Sequence, residues 1–152
     1  MRNIIPPPIL TLLTAGGMTG LTYIVPEIPI TPYHNAFKIL GKALIFIGLA
    51  QLLYAGLQFR KAKTTVNPFT PKKSSTLVVG GLYNFTRNPM YLAMASALAG
   101  LGIVLWQPVN ILLFAAFIIY MTAFQIKPEE AALRDLFGDE YAKYCKAVRR
   151  WI

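Results

Sequence analysis

Two short blocks hold most of the polar chemistry of this chain: STLVVGGLYNFTRNPMY (Ser75 to Tyr91) and QIKPEEAALRDLFGDEYAKY (Gln125 to Tyr144). The first places a guanidinium, an amide and a phenol close together, at Arg87, Asn88 and Tyr91. The second places an amide, Gln125, one helical turn before the carboxylate pair Glu129 and Glu130. A guanidinium is a planar fork of donors that can grip a carboxylate or tie a glutamate in place. Gly80 and Gly81 free the backbone for close approach to a ligand. Read together, these residues describe a polar pocket. Each also has a plainer reading. Arg87 can anchor to lipid phosphate, and Pro89 can simply start a helix. Glu129 and Glu130 can complement a helix dipole, worth about 0.3–1 kcal/mol. Tyr83, Tyr91, Tyr141 and Tyr144 can form an interfacial aromatic belt. Metal chemistry is not expected. His34 is the single histidine and Cys145 the single cysteine, so no zinc set and no internal disulfide can form. Cys145 reads as a small packing residue.

The elements that must position these blocks are apolar. The chain is 55% hydrophobic and 14% charged, where a soluble domain carries about 25% charged residues. Its length suits a single domain over 1–152. The net charge of +9 sits in short segments between apolar runs, the pattern of a membrane protein rather than of a nucleic-acid binder. Four stretches approach the roughly 20 apolar residues of a span: Ile9 to Val25, Ile39 to Phe59, Pro89 to Trp106, and Val109 to Ile126. The last two should form a tight hairpin, which returns Arg87 and the Glu129–Glu130 pair to one membrane face. The N-terminus has no clear cleavage site and reads as the lead-in to a retained span. Gly16 and Gly20 have GxxxG spacing, read here as packing within the chain, which favours a monomer. The tail after Ile126 reads as an amphipathic helix. Pro128 suits its first turn, and Leu133, Leu136, Phe137, Tyr141, Tyr144 and Val148 fall on one face. Gly138 interrupts it, and Asp139 can cap a second short helix. The expected fold is therefore all-α and polytopic, with about four transmembrane helices and an amphipathic C-terminal helix. Lys and Arg concentrate in the loop from Arg60 to Arg87 and in the tail, which places these and both termini in the cytoplasm.

At this point the residues resemble a known group. LVVGGLYNFTRNPMY, then a helical hairpin, then EEAALRDLFGDEYAKYCKAVRRWI, is similar to the isoprenylcysteine carboxyl methyltransferase and phospholipid methyltransferase superfamily of integral membrane enzymes. The likeness covers roughly residues 64–152. It implies S-adenosylmethionine as cofactor, held by Ser75, Thr76, Leu77, Val78, Tyr83, Asn88, Pro89, Met90, Tyr91 and Glu129. It implies Arg87 and Glu130 as the catalytic pair and a lipophilic acceptor arriving from the bilayer, without metal. Two positions depart from the pattern. Asn88 replaces the histidine typical of the carboxyl methyltransferases. Gln125 stands where those enzymes carry an arginine toward the substrate carboxylate, so it is the expected substrate residue, without that charge.

The implied function is S-adenosylmethionine-dependent methyl transfer of the isoprenylcysteine carboxyl methyltransferase kind. The alternatives are a phospholipid amine N-methyltransferase, an NADPH-dependent membrane reductase of the sterol reductase kind, and a non-catalytic lipid-binding membrane protein. The reductases resemble an Asp-Asp…Cys form of the tail, which this chain lacks. The orientation has a direct check. Cysteines introduced near Asn35 and near Lys73 are expected to differ in intact cells: an impermeant reagent labels only the former, and labelling near Lys73 would put the polar blocks on the other side.

Overall fold

The computed structural model describes residues 5–25, 32–61, 77 and 79–152, with the backbone alone for 59–61. The described residues are helical and contain no strand. The helices are α1 (Pro7–Leu21), α2 (His34–Lys61), α3 (Pro89–Leu105), α4 (Asn110–Tyr120) and α5 (Lys127–Ala147). A 3₁₀ turn, Gly81–Asn84, precedes α3, and a π-helical segment, Met121–Ile126, joins α4 to α5.

Local chemistry explains most boundaries. Helices α1 and α3 begin on prolines, where the missing N–H has no intrahelical partner to lose and φ is already helical. Pro128 cannot donate to the carbonyl of Phe124 four residues back. The wide π turn ends directly before it and takes up that mismatch. As a result the tail is not a separate element after a loop. It continues the fourth apolar stretch as one helical run from Asn110 to Ala147, with a kink at Gly138 (φ 49°, ψ −122°).

Among the described residues, two helical runs, His34–Gln58 and Asn110–Ala147, are long and apolar enough to cross a membrane. Only 11% and 22% of their most apolar windows is buried within the protein, unlike the core helix of a soluble domain. Large side chains such as Leu12, Phe46, Leu53 and Ile111 face outward. The 15 residues of α1 and 17 of α3 rise only about 22 and 26 Å, short of the roughly 30 Å hydrocarbon core of a bilayer.

The closest packing is between α2 and α3, ahead of the α3–α4 hairpin. It rests on glycine. A Cβ on Gly100 would lie 2.5 Å from the Gly41 carbonyl oxygen, and one on Gly48 2.7 Å from that of Ala93. Those pairings run in opposite directions, so the two helices are antiparallel. Gln51 Nε2 donates to the Pro89 carbonyl (3.1 Å) and fixes the register at the far end. A small core of Met18, Met94, Ala95, Leu98, Phe117 and Met121 joins α1, α3, α4 and the π segment.

Two expectations need correction. Among the described residues, Gly16 and Gly20 do not mediate packing, since a Cβ on either would meet no atom of another element within 4 Å. The close-packing glycines are Gly41, Gly48 and Gly100, whose spacing carries no GxxxG pattern. In the tail, Tyr141 and Val148 are buried, but Leu136 is 42% exposed, because the kink at Gly138 turns the first half of α5 out of register with the second. The glycine seam predicts opposite outcomes for the same substitution. Gly100→Ala should cost about 1–3 kcal/mol through backbone overpacking. Gly20→Ala should be neutral or stabilising by up to about 1 kcal/mol through helix propensity. Thermal unfolding of the detergent-purified protein measures both.

Candidate functional site

The start of α3 and the end of α4 lie at the same end of the helical hairpin, so the two polar blocks meet there. The C-terminal residues lie across that junction and tie it together. The Arg87 N–H donates to the Arg149 carbonyl (3.0 Å). The Arg150 carbonyl accepts from Thr86 Oγ1 (3.2 Å) and Asn88 Nδ2 (2.9 Å). Trp151 Nε1 donates to Thr122 Oγ1 (3.2 Å), and its ring packs against the apolar core.

Beneath this strap sits an ionic cluster. Glu130, 8% exposed, receives Arg150 in bidentate fashion, Nε to Oε1 at 3.0 Å and Nη2 to Oε2 at 2.7 Å. Arg87 Nη2 lies 3.2 Å from the same Oε1. Arg87 Nη1 also donates to Cys145 Sγ. Both oxygens of Glu130 are thus taken, and the paired hydrogen bond to Glu130 raises the Arg150 pKa further. Burial likewise holds the Tyr141 phenol, next to Glu130 and Cys145, above its ordinary range.

Glu129 faces a different neighbourhood. Its Oε1 accepts from the Tyr91 hydroxyl (2.6 Å) and from Gln125 Nε2. Burial pushes its pKa up to about 7, against the two hydrogen bonds that favour the carboxylate, and the Glu130 charge adds to the rise. Gln125 is 4% exposed. The π turn and the first turn of α5 bring it onto the same face as Glu129. Tyr83 belongs to this neighbourhood. Burial, then Tyr144 and Glu129, hold its phenol above the ordinary tyrosine range, and the Tyr144 hydroxyl donates to its carbonyl (2.7 Å). The turn that carries Tyr83 requires glycine at Gly81, where φ is +64° and the backbone lies against Gln58.

The structure therefore brings together Tyr83, Tyr91, Gln125 and Glu129 in one cluster, and Arg87 and Glu130 in an adjoining one. Asn88 is engaged with the C-terminal strap, while Pro89 is the buried start of α3. Met90 and Leu77 are half-buried. Ser75, Thr76 and Val78 lie outside the described residues. Sequence reasoning missed Arg150, Thr86, Trp151 and the Arg87–Cys145 contact. Arg150 was hidden among Lys146 and Arg149, where a basic run reads as a topology signal. Cys145 is a hydrogen-bond acceptor for Arg87 as well as a packing residue.

Comparison with known proteins bears on the family of the chain. The family model "Phospholipid methyltransferase" matches residues 36–140, more than two thirds of the chain. A protein-S-isoprenylcysteine O-methyltransferase of Schizosaccharomyces pombe is 31% identical over 108 residues, 70% of this chain and 46% of that protein. The chain thus spans about half the length of that relative. An uncharacterized protein of Haemophilus influenzae is 38% identical over 61 residues, 40% of this chain and 79% of its own length. No solved structure matches.

The two glutamates are expected to respond differently to loss of charge. Glu130→Gln leaves two guanidiniums without a carboxylate. It should cost roughly 2–3 kcal/mol, less than the roughly 3–5 of a fully buried pair because Arg150 is partly solvated. Glu129 has a folded-state pKa of about 7, raised from 4.5, so its contribution to stability is present below the lower value and lost as pH rises through the higher one. Glu129→Gln should therefore leave the thermal midpoint at about pH 8 unchanged or raised. Thermal unfolding of both variants across pH checks this contrast.

Proposed function

The chain belongs to the phospholipid methyltransferase family, and on that premise we propose that it is an integral membrane enzyme that transfers a methyl group from S-adenosylmethionine to a lipophilic acceptor. The observation that carries this reading is the Tyr91–Gln125–Glu129 cluster, with Gln125 buried and the other two half-buried, at the polar end of a bundle with apolar outer faces. In this reading the four apolar helices cross the bilayer as one domain, the bilayer thinning locally at the shorter α1 and α3, and both polar blocks and both termini face the cytoplasm, as the charge distribution favours.

The residues present fit the cofactor. S-adenosylmethionine carries a cationic sulfur, an amino acid group and ribose hydroxyls. Glu129 offers a carboxylate for positive charge or hydroxyl donors. Gln125 Oε1 and Arg87 Nε are buried without hydrogen-bond partners among the described residues, an acceptor and a donor of the kinds an amino acid group satisfies. When bound, the cofactor supplies an electrophilic methyl group, so no protein nucleophile or metal is required. The work left to this chain is binding, alignment and exclusion of water. Tyr91 and Gln125 orient the Glu129 carboxylate. The Tyr83 phenol stays neutral beside it. Arg87 and Glu130 hold the start of α3 where the cluster needs it. Leu77, Asn88, Pro89 and Met90, together with Ser75, Thr76 and Val78, complete the cofactor side.

The name of the fission-yeast relative supports a prenylcysteine carboxylate as acceptor. A second reading, an amine on a phospholipid headgroup, is favoured by Gln125. That side chain is neutral and its amide is committed to Glu129, so it offers no cation to a substrate carboxylate. Labelled S-adenosylmethionine supplied with an S-prenylated cysteine or an aminophospholipid separates the two. Label in either lipid extract supports methyl transfer, and label in neither would overturn it. Arg87→Lys is expected to insert normally but lose most incorporation, because an ammonium cannot span Glu130 and Cys145 as the planar fork does.

Cofactor binding should depend on pH. A cationic ligand favours ionised Glu129, so affinity should rise with pH through about 7 and fall by up to about tenfold per unit below it. Glu129→Gln should weaken binding about ten- to a hundredfold and flatten this profile. Equilibrium binding of S-adenosylmethionine to the purified protein measures both. An unchanged profile in the variant would assign Glu129 to helix capping.

A further inference from the structure

A cavity of about 520 Å³ opens at the end of the bundle away from the Glu129 cluster. The fifteen residues of α3 from Tyr91 to Trp106 put roughly 22 Å between them. Its walls are apolar, among them Met18, Leu98, Ile103 and Phe114, and no lining residue is charged. The volume lies in the range of small-molecule sites, about 300–1,000 Å³, which combine an apolar lining with a few placed polar groups.

Polar groups are present, and among the described residues they lack hydrogen-bond partners. Asn110 lines the cavity, is 2% exposed, and neither its Nδ2 nor its Oδ1 has a hydrogen-bond partner. Trp106 also lines it, and its buried Nε1 has no partner. His34, 9% exposed, stacks edge-on against Trp106 at 5.0 Å and leaves Nδ1 without a partner. Buried amides and ring N–H groups are rarely left so, since each costs its desolvation. Trp106 is in addition the non-glycine residue with positive φ among the described residues (φ 53°). A bulky side chain seldom takes that conformation, and such strain collects at ligand clamps. It turns the indole into contact with His34 and Phe37 at the rim.

We propose that this cavity is a second ligand site, distinct from the methyl-transfer site, for a neutral amphiphile with a hydroxyl-bearing head and an aliphatic body. A head of that kind both donates and accepts, which matches an amide with both ends free and an indole donor. The absence of charge in the lining disfavours a phosphate or a carboxylate. The volume holds roughly fifteen to twenty heavy atoms, taking about 30 Å³ for each, so a longer chain would continue along the exposed Ile111 surface toward lipid.

The test uses the full chain in phosphatidylcholine nanodiscs. Its two tryptophans, Trp106 and Trp151, lie at opposite ends of the bundle, and bromine quenches indole emission on contact. The probe is the glycerol monoester of bromoundecanoic acid, and the control is the methyl ester of the same acid, which has no hydroxyl to donate. Saturable quenching of the Trp106 emission by the glycerol ester, with about tenfold weaker action of the methyl ester, is expected. Asn110→Leu should erase the difference between the two esters. Gly102→Leu should block both, because a Cβ there fits at 3.9 Å from Asn110 and the rest of the side chain extends toward the cavity it lines. Circular dichroism and thermal unfolding establish that each variant is folded, and either variant alone suffices. Equal quenching by the two esters in the wild type, no quenching by either, or unaltered quenching in the folded variants would overturn the proposal. None of these readouts depends on methyl transfer.

Discussion

The Glu130 carboxylate is the point at which the second half of the molecule closes. It accepts Arg150 from the chain's end and lies against Arg87 from the entrance to α3; Glu130 and Arg87 are largely shielded, while Arg150 stays partly open to solvent. A buried carboxylate flanked by two guanidiniums satisfies its charge only when all three elements are in place. The strap of Arg149–Trp151 then adds backbone acceptors for Arg87, Asn88 and Thr86. With Glu130 consumed in this way, the neighbouring Glu129 is left in a separate environment. Its carboxyl, shared by Tyr91 and Gln125, is held near the balance between its acid and its carboxylate. Two adjacent glutamates thus acquire different characters, one as a structural counter-ion and one as a titratable group facing the cluster.

That division depends on the placement of α3. The glycine seam between α2 and α3 lets two backbones approach until carbonyl oxygens replace side chains as neighbours. Gln51 pins the Pro89 carbonyl to α2, so the helix that presents Tyr91 cannot slide along its partner. On the other side, the π segment carries Gln125 and leads into α5, and its extra width before Pro128 sets the face on which Gln125 and Glu129 meet. Rigid packing on one flank and a local helical irregularity on the other therefore define one geometry.

The ends of α3 contrast chemically. At Pro89 the side chains of Thr86, Arg87, Asn88, Tyr91, Gln125, Glu129 and Glu130 are drawn into hydrogen-bond networks, which the unpartnered Arg87 Nε and Gln125 Oε1 border. At Trp106 the Asn110 amide, Trp106 Nε1 and the nearby His34 Nδ1 have no hydrogen-bond partner among the described residues, beside apolar walls. A bundle of this size has little interior, and both of its ends are shaped by how α3 is entered and left: a proline start at one, a left-handed turn at the other.

The amino-acid order alone determined the apolar helices, because length and hydropathy of a stretch are local properties. It also determined that Arg87 and the glutamate pair return to one end, because a short uncharged turn allows the third and fourth stretches no other course. The proline start of α3 and the break at Gly138 were legible for the same local reason. What only the tertiary structure decided concerns partners. Glu129 and Glu130 are adjacent and identical in type, so nothing in their order says which faces Arg150 and which faces Tyr91. Arg150 looks like any other basic residue of the tail until the strap folds back some twenty positions onto Glu130. The close-packing glycines escaped the GxxxG pattern because backbone approach depends on the facing helix, and the exposed Leu136 escaped periodicity because the kink at Gly138 rotates one half of α5 against the other. A pattern along the chain reports what each residue prefers, whereas a salt bridge or a close helix contact is fixed by groups that meet only after the chain has folded.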